Sequence, residues 1–348
     1  MSRPPKIGFR VPYGCNDATR IAVALADVAS EAGAEVVFAS TLIDVYRPVH
    51  ENWDDHVICA PRLLNSRAFE SYTDFVWFSP GFQEVSAAKR SGCRCTYVAM
   101  WPRAVTDAAP VHKLCHTVLT SQSVYSKLQA EHSLPDNFDL LPPVCSVCNF
   151  SVLPATRDKS LWVLDSVALR RYGSAIFHTA SLLLSHYPDL RITVLVDSSW
   201  DSGVGKIVNQ LQSHSSPRFI IGKRFSQSRR CFAYKSHGWL FNLACRDSAG
   251  MYLLECVQSG RPTVTLGNSA AYEILDDTDH VVDCDMTLNE LGGTDSVVCS
   301  AALLEAAQAL YATLPPSPAL HVDEELSEKL ETRRKNFKRG WKELWELD

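Results

Sequence analysis

Lys6-Ile7-Gly8-Phe9-Arg10-Val11, followed by Pro12-Tyr13-Gly14-Cys15-Asn16-Asp17 and by Ala18 to Ala39, decides the fold. Lys6 to Val11 reads as a strand, and Pro12 to Asp17 reads as a loop. Asn16 and Asp17 are both good N-caps for a helix from Ala18 to Ala32. In that helix Ile21, Leu25, Val28 and Ala32 recur at three- and four-residue steps on one face. Gly33 stops it, and Glu35 to Ala39 reads as the next strand. Strand, helix and strand in this order make a βαβ unit, the opening of a parallel doubly wound sheet.

The alternation continues outward. Strand-like segments follow at Asp74 to Phe78, Cys95 to Ala99 and Thr117 to Thr120, then a helix from Ser123 to Glu131 and a strand near Asp139 to Leu141. Leu141 to Ser160 carries Pro142, Pro143 and Pro154 without periodicity and reads as an interdomain linker. A second α/β series then begins. Its strands are read at Leu161 to Leu164, Arg191 to Val196, Phe219 to Ile221, Gly238 to Asn242 and Thr263 to Thr265. Its helices are read at Ser174 to His186, Gly250 to Gln258 and Ala301 to Leu314. A charged amphipathic helix, Asp323 to Leu347, closes the chain. At ~150 residues per domain, 348 residues also suggest two domains. The expected division is 1–150, 151–325 and a crossover helix over 326–348. Two such halves imply a cleft between them, where ligands bind.

Composition narrows the function classes. Forty-six per cent hydrophobic and 21% charged residues exclude wholesale disorder. A formal net charge of -5 excludes a global positive field for nucleic acid or anionic membrane, though not a local patch. No apolar run approaches the ~20 residues that span a bilayer. Met1 to Lys6 shows no signal-peptide core, so the expected location is cytoplasmic. The 12 cysteines are too dilute for a disulfide scaffold, and buried, reduced thiols are expected.

The common motifs fail. No Gly-x-Gly-x-x-Gly lies in the first βα turn, which disfavours a dehydrogenase. Gly203-Val204-Gly205-Lys206 lacks the remainder of a phosphate-binding P-loop and reads as a turn. Cys145/Cys148 and Cys93/Cys95 have no His pair at zinc spacing. Asp283-Cys284-Asp285 matches an Asp-x-Asp metal motif only over three residues and reads as a capping loop. No metal is expected. The informative segment is Asp247-Ser248-Ala249-Gly250-Met251-Tyr252-Leu253-Leu254-Glu255, followed by Ser259-Gly260-Arg261-Pro262-Thr263-Val264. Two acids bracket a glycine at a helix start. The glycine admits a ligand close to the backbone, and the amides of Gly250 and Met251 suit a diphosphate. Glu255 can accept hydrogen bonds from ribose hydroxyls, and Asp247 from a sugar ring. The bland alternative is a glycine-initiated core helix with incidental acids.

This segment resembles the Glu-x7-Glu region of retaining glycosyltransferases with the GT-B fold, especially glycosyltransferase family 4. That family's run reads roughly E-G-F-G-L-x-x-x-E, then A-x-x-x-G-x-P-V. Asp247 stands at the first Glu, Gly250 at the second Gly, Glu255 at the second Glu, and Gly260 and Pro262 at the following Gly and Pro. The likeness extends to Leu161 to Val196, including Tyr187-Pro188-Asp189-Leu190, to Thr117 to Ser123, and to a final helix with Phe337, Trp341, Leu344 and Trp345. The resemblance implies two Rossmann-like domains facing a cleft, with a C-terminal helix crossing back to the first. It implies glycosyl transfer from a nucleotide sugar to a hydroxyl acceptor, with retention and without a metal or cofactor. Asp247 and Arg171 fall at catalytic positions. Glu255, Gly250, Met251, Arg170, Ser166 and Gly14 fall on the donor side. Ser166 replaces an arginine of the family's basic pair. Met100-Trp101-Pro102-Arg103 stands where the family has a histidine, leaving Tyr13, Trp101 and Arg103 as acceptor-side candidates, with core packing the alternative for the two aromatics. His112, His116 and His132 read as structural or surface residues.

The competing class is a non-catalytic nucleotide- or sugar-binding protein with the same fold. The acceptor is open between a small molecule, a glycan and a hydroxymethylated base in viral-type DNA. DNA enters because Lys329, Arg333, Arg334, Lys335, Lys338, Arg339 and Lys342 face only Glu328 and Glu331 over the same stretch. The alternative is a solvated helix face whose apolar side packs on the body.

Overall fold

The computed structural model describes residues 4–13, 17–40, 52–60, 65–78, 80–100, 108–145, 155–197, 218–223, 226–244, 249–267, 269–275, 281–282, 285–288, 294–297, 300–319 and 324–347. The chain divides into two compact units, Met1–Ser146 with Ser327–Asp348, and Val147–Leu326. No helix among the described residues is long and apolar enough to cross a membrane.

Unit 1 is built on strands β1 (Lys6–Val11), β2 (Glu35–Ser40), β3 (Val57–Cys59), β4 (Asp74–Trp77), β5 (Arg94–Ala99), β6 (His116–Leu119) and β7 (Phe138–Leu140). They form one parallel sheet in the order β3-β2-β1-β4-β5-β6-β7. Strands covered on both faces are buried on successive residues rather than alternate ones, and β1, β4 and β5 are, apart from the leading Lys6 and Arg94. Helix Asp17–Glu31 lays Ile21, Leu25 and Val28 into the core, as their spacing predicts.

The C-terminal helix, Glu324–Trp345, belongs to this unit. It buries Phe337, Trp341 and Trp345, and the Trp345 ring meets Phe9 of β1 edge-on at 6.2 Å. Gly340 lets the helix approach Leu141, because a Cβ there would stand 2.6 Å from the Leu141 side chain. Arg333 Nε donates to the Pro143 carbonyl at 2.8 Å, and Lys338 pairs with Glu31 at 2.7 Å.

Unit 2 holds β8 (Lys159–Asp165), β9 (Arg191–Asp197), β10 (Phe219–Lys223), β11 (Trp239–Asn242), β12 (Thr263–Leu266) and β13 (Val281–Val282). This second parallel sheet has the order β10-β9-β8-β11-β12-β13. An antiparallel pair, β14 (Asp285–Leu288) and β15 (Thr294–Val297), completes the described strands. Trp162, Leu183, Ile192, Trp239 and Leu303 lie in one apolar cluster around the sheet.

His237 ties the end of helix Gln227–Ser236 to β9. Its Nδ1 lies 2.6 Å from the Ala233 carbonyl and must carry the proton, so Nε2 accepts from the Thr193 hydroxyl at 3.0 Å. Burial holds its pKa below the usual 6.5, with Lys159 and Arg261 adding to the depression. A folded-state pKa below the unfolded one contributes stability above pH 6.5 that is lost as pH falls through the folded value. Acid unfolding should therefore steepen below pH 6.5 in the parent. His237→Gln should flatten that limb, which denaturation midpoints between pH 4 and 7 will measure.

Several expectations are corrected. Helix Ser166–His186 begins at once after β8, eight residues before the expected Ser174. The reason is Asp165, whose carboxylate caps the helix by accepting from the Ala168 amide at 2.5 Å. No loop separates strand from helix there. Helix Gln227–Ser236, capped by Ser226, and the short strands β3, β14 and β15 were not read from the sequence. Asp285 opens β14 instead of capping a loop, while Asp283 and Cys284 lie outside the described residues. Cys59, Cys93, Cys95, Cys115, Cys145 and Cys256 are free thiols, but Cys231 is disulfide-bonded, so the thiols are not all reduced. Residues 203–206 and Cys148 lie outside the described residues.

Candidate functional site

Open α/β sheets bind ligands outside the carboxyl ends of their strands, at the point where strand order reverses. In unit 2 that point lies between β8 and β11, which pair with Asn242 opposite Val163. β8 ends in Asp165, the buried cap of helix Ser166–His186. β11 ends in Asn242, whose amide donates to Thr265 Oγ1 at 3.0 Å and whose carbonyl oxygen accepts from the Ala244 amide at 3.3 Å. Leu243 N still donates to Val163 O, so the backbone stays locked just past the strand end.

The chain leads from there to Gly250, the N-cap of helix Met251–Gln258. Gly250 is left-handed, with φ 71° and ψ 20°, a conformation that L side chains resist by roughly 1–2 kcal/mol. The sequence needs glycine here to turn sharply into the helix. Gly250 O takes the first intrahelical bond, from Leu254 N at 2.8 Å. The Met251 side chain is fully buried. Every residue from Met251 to Cys256 is buried, the charged Glu255 among them.

Glu255 lies one turn into this helix with its side chain only 4% exposed. Its Oε1 accepts from Arg230 Nη2 at 3.2 Å and its Oε2 from the Tyr234 hydroxyl at 2.7 Å. Arg230 and Tyr234 stand four apart on helix Gln227–Ser236 and so share one of its faces. The sequence reading missed both partners. The signal was present in Ser226, a good N-cap, followed by an Arg and a Tyr at helical spacing.

Arg170 and Arg171 are exposed in the second turn of helix Ser166–His186, ahead of the helix start expected at Ser174, and Ser166 opens that helix. Asp247, Gly14, Trp101 and Arg103 lie outside the described residues.

In unit 1 the reversal lies between β1 and β4. Arg10, near the end of β1, is fully buried and pairs through Nη2 with Glu84 Oε1 at 2.8 Å. It also donates to the carbonyls of Ala39 and Ala60. Burial lowers its pKa, and Glu84 opposes the shift. Tyr13 is 6% exposed, edge-on to Phe38 at 5.2 Å, with its hydroxyl donating to Asp54 at 2.9 Å. His112 is buried with Nδ1 2.8 Å from the Thr117 hydroxyl, and His116 pairs with Asp139. Among the described residues no group of three His, Cys, Asp or Glu side chains can hold a metal ion.

No family model matches the chain, and no curated protein matches it in sequence. Solved structures do match. UDP-GlcNAc 2-epimerase from Neisseria meningitidis, bound to UDP-GlcNAc, superposes with a TM-score of 0.59 at 11% identity, over 99% of each chain. An alpha-glucosyltransferase in complex with UDP and a 13-mer DNA containing an HMU base gives 0.58 at 11% identity, over 96% of this chain and 94% of its own. The S. aureus MnaA–UDP structure gives 0.54 at 13% identity, over 97% of each chain. Two parallel α/β sheets, each with one strand-order reversal, and a last helix returning to the first unit, give this chain the GT-B fold.

Proposed function

We propose that the chain transfers a glycosyl group from a nucleotide-sugar donor to a hydroxyl acceptor, with unit 2 holding the donor. The observation that carries this reading is the left-handed Gly250 leading into a buried helix that bears Glu255, beside the strand-order reversal of unit 2. A diphosphate at the helix start would meet backbone amides and the positive dipole end. Glu255 would receive the ribose and Asp247 the sugar. In the reaction the acceptor oxygen bonds to the anomeric carbon as the bond to the diphosphate breaks. The acceptor proton ends on the diphosphate or on solvent. Arg171 and the Gly250 and Met251 amides would offset the charge that develops on the leaving group. Retention and independence from metal follow from the family resemblance.

Arg171→Ala should raise the donor KM by about tenfold, the scale of one lost charge-assisted hydrogen bond. Arg170→Ala should do less, since successive helical residues project about 100° apart. Initial rates over a donor series will decide. Equal indifference to both changes would remove the phosphate role from this helix.

A second reading, epimerisation of the nucleotide sugar itself, is favoured by the likeness to the Neisseria epimerase over the whole of both chains. Incubation with uridine, guanosine, adenosine and thymidine diphosphate sugars, followed by mass spectrometry, separates the classes. Free nucleoside diphosphate with a glycosylated acceptor means transfer. A rearranged nucleotide sugar without acceptor means epimerisation, and binding without turnover means a binding protein. The acceptor panel should include duplexes carrying hydroxymethylcytosine and hydroxymethyluracil, because one structural neighbour carries DNA with an HMU base. Such an acceptor base must leave the stack. Binding through several phosphates would weaken steeply with salt. On the C-terminal helix, Arg333, Arg334 and Lys338 are engaged by Pro143, Glu331 and Glu31. The Arg333 and Lys338 contacts favour a helix face packed on its own unit, while Lys335 and Arg339 are exposed and Arg339 donates to Asn336 Oδ1 at 3.0 Å.

A further inference from the structure

We infer that Cys95 and Cys115 form an oxidation site in unit 1, where a hydroperoxide converts the two thiols into a disulfide that staples β5 to the start of β6. The parallel ladder between these strands opens with Thr96 opposite His116, so Cys95 and Cys115 stand side by side one residue before it. Neighbouring strands lie ~4.8 Å apart, and disulfides join Cα atoms about 4.4–6.8 Å apart, so the bond asks little of the backbone. Both residues belong to the apolar cluster of Phe75, Trp77 and Tyr97, and they are 4% and 5% exposed. The Cys115 thiol donates a hydrogen bond to the Cys95 sulfur. Cys95 in turn donates to the Cys93 carbonyl at 3.6 Å.

Cys93 is an internal comparison. It lies in the same cluster, also buried, but its S–H points to the Arg94 carbonyl at 3.5 Å. Burial pushes its thiol up, as in an inert structural cysteine. Cys95 moves the other way, because the hydrogen bond from Cys115 favours its thiolate against the opposing effect of burial. The thiolate is the nucleophile, so Cys95 attacks and Cys115 resolves.

With hydrogen peroxide as the oxidant, the Cys95 sulfur bonds to one peroxide oxygen as the O–O bond breaks. The products are a sulfenic acid on Cys95 and one water. The Cys115 sulfur then bonds to the Cys95 sulfur as the S–O bond breaks, and the departing hydroxyl takes the Cys115 proton as a second water. Each sulfur loses one electron and the peroxide gains two. The new bond closes the stretch from 95 to 115, which contains Trp101 and Arg103. A crosslink across about 20 residues restricts the unfolded chain, so the oxidised unit should be the more stable form.

The test is to expose the folded full chain to hydrogen peroxide, block the remaining thiols with iodoacetamide, digest with trypsin and map the peptides by mass spectrometry. Cleavage after Arg94 separates Cys93 from Cys95, so the three thiols fall on three peptides, Ser91–Arg94, Cys95–Arg103 and Leu114–Lys127. The last two should appear joined, lighter by two hydrogens than their sum, and dithiothreitol should part them. Ser91–Arg94 should stay alkylated. The crosslinked protein should melt about 6–12 °C above the reduced one. Cys93→Ala should still form the crosslink. Cys115→Ala should not, and dimedone should then trap the sulfenic acid on Cys95. Should Cys115→Ala fail to melt cooperatively, the peptide maps of the parent and of Cys93→Ala carry the test. A crosslink through Cys93, or one that forms only in urea, would overturn the assignment of the pair. So would full alkylation of Cys95 and Cys115 after peroxide. An oxidised protein that melts no higher than the reduced one would overturn the staple.

Discussion

Glu255→Ala should lower the melting temperature by roughly 6–20 °C and weaken nucleoside diphosphate binding by about 10- to 100-fold. The first number follows from breaking a buried ion pair by removing one partner, which costs about 3–5 kcal/mol, at about 2–4 °C per kcal/mol for a domain of this size. The loss is large because Arg230, only 4% exposed, would keep its charge and lose the carboxylate 3.2 Å away. The companion variant Glu255→Leu with Arg230→Met should recover most of the stability, since no charge is then stranded. It should not recover binding. Melting curves and calorimetry on the three proteins separate the role of the pair in the fold from its role in the site. If the double variant melts as low as the single one, stranded charge is not the cause. If it binds nucleotide like the parent, Glu255 has no ligand role.

Trp341→Ala should destabilise unit 1 by about 3–5 kcal/mol, the range for emptying a buried aromatic site. The Trp341 ring is 1% exposed, 5.0 Å from Trp345 and 6.3 Å from Phe337. Through Trp345 this cluster reaches Phe9 on β1. Trp341→Phe should cost far less, about 1–2 kcal/mol, because the indole Nε1 makes no hydrogen bond and only volume is lost. Breaking the Lys338–Glu31 pair should change stability by under about 1 kcal/mol, since both groups are 40% or more exposed. Urea denaturation of the three variants will rank them. A Trp341→Ala protein as stable as the parent would mean that the helix does not dock on unit 1 in solution. An equal effect of Lys338→Ala would mean that charge, not burial, holds it there.

How much of this was legible in advance depends on how far each signal reaches along the chain. Local periodicity and punctuation carried the fold. Lys6–Val11, Gly33 and the Ile21–Leu25–Val28 spacing specify a strand, a stop and a helix face from neighbours a few residues apart, and the structure places them so. The same holds for Gly250, where a positive φ demands the one residue without a Cβ. Phe337, Trp341 and Trp345 likewise announced a buried helix face. What they pack against was not written beside them, because Phe9 and Leu141 lie about 200 to 340 residues earlier. Asp165 shows local chemistry that was present and underread, since one capping carboxylate turned an expected loop into helix and moved Arg170 and Arg171 onto its surface. The sequence alone thus determined the α/β class, the two-unit plan and the glycine-led helix that carries Glu255. Only the tertiary structure decided what Glu255 meets. Arg230 and Tyr234 come from another helix, and a carboxylate's neighbours in space depend on the packing of both helices beside one sheet.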